Sequence, residues 1–257
     1  MHKEVAMPRF FIRAEQIENG VVRLMGDDAH HISRSLRMAA GERITVCDMQ
    51  KNEYDCELIE FLPDCVRAKI LHTTPSETEP PYRAHVFQAL PKGDKLDSVI
   101  QKAVECGMTE LTTFESERCV VRLKGESEGK KLERRQRIAL EAAKQSGRGI
   151  VPVIHPSCSF SQMLTEAARA DIALFCYEGD GTRPLPEVLR ASAVRETSDR
   201  ELTVSLVIGS EGGFSLAEAE AARSAGLIPV GLGNRILRTE TAAAFALACL
   251  VYEFELS

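Results

Sequence analysis

LTVSLVIGSEGGFSLAEAEAA, residues 202–222, decides the fold class. Its apolar run, Leu202–Gly209, has the length and branched content of a buried strand. It enters a turn with glycines at 209, 212 and 213. Ser215 with Glu218 three residues later forms a capping box, so the spacing predicts a helix over Leu216–Ala225. Glycines at such a junction let the backbone approach a ligand and present its amides. Ligands of α/β sheets bind at the carboxyl ends of strands. The spacing matches neither G-x-G-x-x-G nor a P-loop. Taken alone, the segment is either a ligand loop or an ordinary tight turn.

The next segment, GLIPVGLGNRILRTETAAAFALACLVYEF (226–254), repeats the pattern. A strand, Ile228–Gly231, leads to a polar loop with Gly233, Arg235 and Arg238 and then to a helix, Thr239–Glu255. That helix is apolar nearly all round, which predicts burial. Arginines beside a buried helix start need partners or a ligand. Arg238 therefore either salt-bridges Glu240 or Glu211 or faces a ligand.

Working outward, strands at Ala84–Leu90, Thr109–Glu115 and Asp171–Cys176 alternate with helices at Lys95–Cys106, Lys131–Gln145, Phe160–Ala168 and Pro186–Val194. This alternation predicts an α/β domain with a mostly parallel sheet. Residues 72–82, HTTPSETEPPY, bar a packed element and place a boundary. Before it lie short strand-like runs at Phe10–Ile12, Val21–Leu24, Arg43–Asp48, Tyr54–Phe61 and Val66–Leu71, the spacing of a small barrel or meander. One helical stretch, Asp28–Met38, interrupts them. The domains are thus read as 1–75 and 76–257.

The 257 residues carry a net charge of −6, which speaks against a simple nucleic-acid binder. The charge is uneven, however: residues 83–149 hold 14 basic and 10 acidic side chains. This is either an electrostatic footprint or a solvated helix face. An aromatic content of 5% without tryptophan argues against a base-stacking platform. No apolar run reaches the roughly 18 residues of a membrane helix, and the amino terminus reads as untargeted, so a cytoplasmic location is expected. The eight cysteines form no CxxC pair, so neither zinc nor disulfides are expected.

Two further segments could carry chemistry. In QALPKGDKLDSVIQKAVECGMTELTTFESERCVVR (88–122), Lys92 and Lys95 follow a strand end where a phosphate could sit, or are simply surface lysines. In KKLERRQRIALEAAKQSGRGIVPVI (130–154), Arg134, Arg135, Arg137, Lys144 and Arg148 are concentrated on a helix and its exit.

These four segments, with MPRFFI (7–12) and HHISRSLRM (30–38), resemble in order and spacing the bacterial family that methylates N3 of a uridine in 16S ribosomal RNA. It belongs to the trefoil-knot (SPOUT) superfamily. IGSEGGF (208–214) and LGNRILRTETA (232–242) are its most specific matches. The resemblance implies a PUA-like β-barrel followed by a knotted α/β domain. It implies S-adenosylmethionine, held by Leu174, Tyr177 and Glu178, by Ile208, Gly209, Ser210, Glu211, Gly212 and Gly213, and by Leu232, Gly233, Ile236, Leu237, Arg238 and Thr239. It implies a homodimer with the active site at the interface, acting on a decoding-site uridine of the assembled or nearly assembled small ribosomal subunit. Two departures stand out: Ser210 replaces the proline of GPEGG, and Asn234 that of LGPR. Each removes a fixed φ and adds a backbone donor.

On this reading the chemistry needs no metal and no membrane. Uracil N3 must lose a proton before it attacks, and charge spreads onto O2 and O4. A guanidinium suits those oxygens and is a poor base, so Arg238 is the expected anion stabiliser. Glu211 or Glu240 is either the base or orients an arginine. Arg9, Arg34, Arg37, Lys92, Arg118, Arg122, Arg134 and Arg148 are the expected RNA contacts. The rival readings are a non-catalytic RNA-binding or ribosome-assembly factor on the same fold and a nucleotide-dependent small-molecule enzyme.

Overall fold

The computed structural model describes residues 7–122, 128–193 and 200–257. Residues 1–6 lie outside them, as does Val194, the last residue of the helix expected at Pro186–Val194. The chain forms two compact units, Met1–Glu79 with Ala143–Val151, and Pro80–Ala142 with Pro152–Ser257. The first is therefore discontinuous in sequence, where composition suggests a single cut.

The first unit is a curled six-stranded sheet. Its strands are β1 (Arg9–Phe11), β2 (Ile17–Glu18), β3 (Val21–Met25), β4 (Arg43–Cys47), β5 (Asn52–Leu62) and β6 (Cys65–Pro75), in the order β1-β4-β5-β6-β3-β2. Alternation along each strand turns Phe10, Val22, Leu24, Ile44, Val46, Leu58, Val66 and Ala68 into one core. The helix expected at Asp28–Met38 is one α turn, α1 (Asp27–His30), continued by a wider turn over His31–Ser35. Ile32 is its buried anchor.

The residues Ala143–Val151 are held here by a buried ion pair. Arg148 donates through Nε and Nη2 to Glu79 at 2.9 and 2.7 Å. The amides of Gly149 and Ile150 donate to the same carboxylate at 2.8 and 3.2 Å. Gly149 must be glycine, because a Cβ would stand 2.3 Å from Ser76 Oγ. Lys144 reaches Asp28 at 3.3 Å and lies over the Phe10 ring.

The second unit is a seven-stranded sheet in which every pairing is parallel. Its strands are β7 (Tyr82–Ala89), β8 (Glu110–Phe114), β9 (Val153–Cys158), β10 (Ile172–Cys176), β11 (Arg183–Pro184), β12 (Leu202–Ile208) and β13 (Ile228–Gly231), ordered β11-β13-β10-β12-β7-β8-β9. The helices are α2 (Lys95–Glu105), α3 (Glu128–Ser146), α4 (Phe160–Ala167), α5 (Leu185–Ala193), α6 (Leu216–Ser224) and α7 (Thr239–Val251). Strands β9 and β11 are not among those expected from the sequence: VIHPSC has no run of branched residues, and Arg183–Pro184 is only two residues long.

Two connections at the carboxyl edge of this sheet have interleaved ends. From β10 the chain steps over β13 to β11, and from β13 it returns past β10 to α7, which packs on β12, β7 and α2. Such ends force the two connections to cross, which ordinary folds avoid. Helix α7 is not buried all round. Thr239, Ala243, Ala246, Leu247 and Leu250 face inward, while Thr241, Phe245, Ala248, Tyr252 and Leu256 form an exposed stripe at helical spacing.

Candidate active site

The crossing brings together the ends of β7, β10 and β12 and the start of α7. Register pairs Phe175 with Val207 and Val207 with Phe87, so these strands end level. Gln88, fully buried on β7, ties the junction together. Its amide nitrogen donates to the Thr239 hydroxyl at 2.9 Å and to the carbonyls of Ala89 and Gly209 at 2.9 and 3.3 Å. Thr239 in turn donates its hydroxyl to the Gly209 carbonyl at 2.6 Å. A polar residue inside AHVFQAL was the available sequence signal for Gln88.

The glycine loop is seated from below by Phe214, whose ring lies 4.3 Å from that of Phe175 and 6.4 Å from that of Phe114. A Cβ on Gly209 would come within 3.2 Å of that ring, and one on Gly212 within 2.9 Å of Arg118 Cβ. Gly213 has φ +63°, a left-handed conformation suited to glycine. The capping box forms as the spacing requires. Ser215 N–H donates to Glu218 at 2.9 Å, the Glu218 amide donates to Ser215 Oγ at 3.2 Å, and Glu218 also accepts the Glu117 amide at 2.7 Å.

The expected cofactor residues lie on this edge. Leu174 is buried on β10, and the Tyr177 amide donates to the Val230 carbonyl. Glu178 is exposed, Ile208 and Ser210 are buried, and Leu232 and Leu237 are half-buried. Gly233, with φ +102°, and Ile236, 85% exposed, lie in the returning loop.

Neither glutamate pairs with Arg238. Glu211 accepts from Lys95 Nζ at 2.8 Å and from the Lys92 amide at 3.1 Å. Burial pushes the Glu211 carboxyl upward, but these hydrogen bonds outweigh it and hold the group below the usual carboxylate range. Lys95 Nζ stands 4.0 Å from Glu240 Oε2, beyond a hydrogen bond. Arg238 is exposed and makes no ion pair with the described residues. The salt-bridge alternative for Arg238 therefore falls away: Lys95 takes that role.

Four buried side-chain oxygens among the described residues have no hydrogen-bond partner, and three are here: Gln88 Oε1, Ser210 Oγ and Glu240 Oε2. Unpaired buried oxygens are costly, so their clustering marks a place where a polar ligand completes the bonding.

The basic residues divide into two sets. Arg34, Arg37, Lys92, Arg118 and Arg122 are exposed. Arg118 leans on the glycine loop, donating to the Gly212 carbonyl at 3.1 Å, and Arg122 donates to the carbonyls of Ser116 and Glu117. Arg134 is exposed but ion-paired to Asp97. Arg9 and Arg148 require a correction. The Arg148 side chain is 3% exposed and clamped on Glu79, and Arg9 is shared by Glu53, Cys47 and the Arg148 carbonyl. Both guanidinium groups are thus engaged by partners inside the first unit.

An RNA methyltransferase domain model matches residues 78–251, and an RNA methyltransferase PUA domain model matches residues 24–60. The ribosomal RNA small subunit methyltransferase E of Bacillus subtilis is 36% identical, covering 97% of this chain and 98% of its own. The chain belongs to the ribosomal RNA small subunit methyltransferase E family. Its relative from Neisseria gonorrhoeae, a crystal structure bound to S-adenosyl methionine, aligns with a TM-score of 0.79 at 30% identity over 95% of this chain and 97% of that one. A Legionella pneumophila methyltransferase structure, in complex with the same cofactor, aligns with a TM-score of 0.80 at 28% identity over 96% and 98%. The small curled sheet and the crossed parallel sheet are thus the PUA-like and SPOUT-type parts of this family.

Proposed function

We propose that the protein transfers a methyl group from S-adenosylmethionine to N3 of a decoding-site uridine in 16S ribosomal RNA, within the assembled or nearly assembled small subunit. The observation that carries the cofactor site is the cluster of unpaired oxygens on Gln88, Ser210 and Glu240 at the crossed edge. The loops that would hold the cofactor are Leu174–Glu178, Ile208–Phe214 and Leu232–Thr239. Their glycines leave room against the backbone, and the missing hydrogen bonds are of the kind an amino-acid and ribose moiety can supply.

When bound, S-adenosylmethionine offers an electrophilic methyl on a sulfonium sulfur. The protein's part is orientation and charge. Glu240 is the better base. Glu211 is held ionised by Lys95 and the Lys92 amide, which leaves it a weak proton acceptor. Glu240 Oε2 has no hydrogen-bond partner, Lys95 Nζ standing off at 4.0 Å, and the N3–H proton passes to this oxygen. Arg238, unpaired and exposed beside it, donates to the uracil oxygen on which charge develops. The uridine has to leave its stack to present N3.

Arg34, Arg37, Lys92, Arg118 and Arg122 are the phosphate contacts. The exposed stripe Thr241, Phe245, Ala248, Tyr252 and Leu256 supports a homodimer in which a second copy covers α7 beside the site. No helix among the described residues is long and apolar enough to cross a membrane, and a cytoplasmic ribosomal substrate accords with that.

The deciding experiment is a tritiated-methyl assay on small subunits from a strain lacking the gene, beside calorimetry with S-adenosylmethionine. Stoichiometric cofactor binding and label at N3 of one uridine are expected. Cofactor binding without label would leave an RNA-binding factor; no cofactor binding with or without RNA defeats the enzyme reading.

A further inference from the structure

His85, Glu110 and His155 stand on neighbouring strands β7, β8 and β9. Register sets His85 against Glu110, and His155 against Thr112, so alternation turns all three to one face of the sheet. His155 Nε2 lies 2.8 Å from Glu110 Oε2. His85 Nε2 lies 2.8 Å from Thr112 Oγ1, and its ring stacks on Phe87 at 4.0 Å. The two imidazoles are 5.5 Å apart. One ligand atom from each of the three side chains lies within 4.8 Å of the other two. The cluster stands about 10 Å along β7 from Gln88, toward the opposite end of the strand.

We propose that His85, Glu110 and His155 bind one divalent transition-metal ion of the zinc class. Two imidazoles and a carboxylate are a donor set for that class, with a remaining position for water. Donors around a tetrahedral ion stand about 3.3 Å apart. The ion takes the place of the contact between His155 Nε2 and Glu110 Oε2. Its site is preorganised: Phe87 fixes the plane of the His85 ring, and Thr112 holds one ring nitrogen. The half-exposed His155 leaves a path for entry.

Arg83 is the competing cation. Its guanidinium lies 2.7 Å from Glu110 Oε1 on an exposed side chain, and it must share or yield that carboxylate. A metal at this position is therefore coupled to Arg83 in a way that adventitious surface binding is not.

The test uses the full-length protein, stripped with EDTA and titrated with Zn²⁺ by calorimetry and with Co²⁺ by visible absorption. One ion per chain is expected, with dissociation below about 100 µM. His155→Ala and Glu110→Gln should each weaken binding by about tenfold or more. Arg83→Ala, on an exposed side chain, should tighten it. Three results overturn the proposal: no uptake of either ion at that concentration, binding unchanged in both ligand variants, or a Co²⁺–thiolate charge-transfer band placing the ion on cysteine. S-adenosylmethionine binding by each variant checks that it has folded.

Discussion

The Thr239 hydroxyl donates to the Gly209 carbonyl at 2.6 Å, joining the first turn of α7 to the end of β12. The same hydroxyl accepts from Gln88, so one oxygen links three elements that are distant in sequence. Thr239→Val keeps the shape and removes both bonds. Gln88 Nε2 keeps its bonds to the Ala89 and Gly209 carbonyls, so the cost is that of two lost hydrogen bonds, about 1–3 kcal/mol. Urea unfolding should record that loss, and calorimetry a cofactor affinity weakened by about tenfold. Unchanged stability would make the link incidental.

Arg238 is exposed at the site and makes no ion pair with the described residues. Arg238→Ala should retain the wild-type unfolding midpoint and lower methyl transfer by about a hundredfold or more. Arg238→Lys restores the charge without the planar fork and should recover only part of the rate. Single-turnover kinetics on the small subunit separates these outcomes, and wild-type turnover of the alanine variant removes Arg238 from the mechanism.

Gly212→Ala adds a Cβ that would sit 2.9 Å from Arg118 Cβ and 3.2 Å from the Arg118 carbonyl oxygen. The loop has to move away from Arg118. Cofactor binding should fall while the unfolding midpoint changes little, because the exposed loop rather than the core absorbs the strain. A crystal structure of the variant with an unmoved loop contradicts this.

Arg148 and Glu79 are paired with their side chains 3% and 2% exposed. Arg148→Ala strands a buried carboxylate and should cost about 3–5 kcal/mol. Denaturation followed in the isolated protein reads this directly. Intact stability with weakened RNA binding would instead return Arg148 to the RNA-contacting set.

His85 gives the pH dependence. Burial pushes it down to about 4, against an ordinary value of 6.5, and the facing groups are Glu110, His155 and Arg83. The unfolded chain therefore binds more protons between those values, and the His85 contribution to stability is lost as pH falls from about 6.5 to about 4. Above 6.5 it is fully present. Thermal unfolding in EDTA should show this slope, and His85→Gln should flatten it.

The sequence carried the parallel sheet well, because β7, β10, β12 and β13 are apolar runs closed by glycine or polar turns. It carried the glycine loop and its capping box for the same local reason. It could not show that Lys95 rather than Arg238 neutralises Glu211, since the two follow β7 and β12, strands that pair side by side but lie far apart in sequence. Arg148 misled for a related reason. A basic residue in a glycine turn reads as a phosphate contact, and its partner Glu79 stands in a linker that composition marks as unpacked. The outward face of α7 was hidden because an all-apolar helix does not disclose which side meets protein.

The crossed connections also set an order of events. The site is completed by Thr239, which is made after every strand of the sheet. A nascent chain can pair β7, β10 and β12 long before α7 exists to close them. Until that final helix is drawn into place, Gly209 and Gln88 lack their common partner. Every strand of the sheet therefore precedes, in order of synthesis, the residue that ties their ends together.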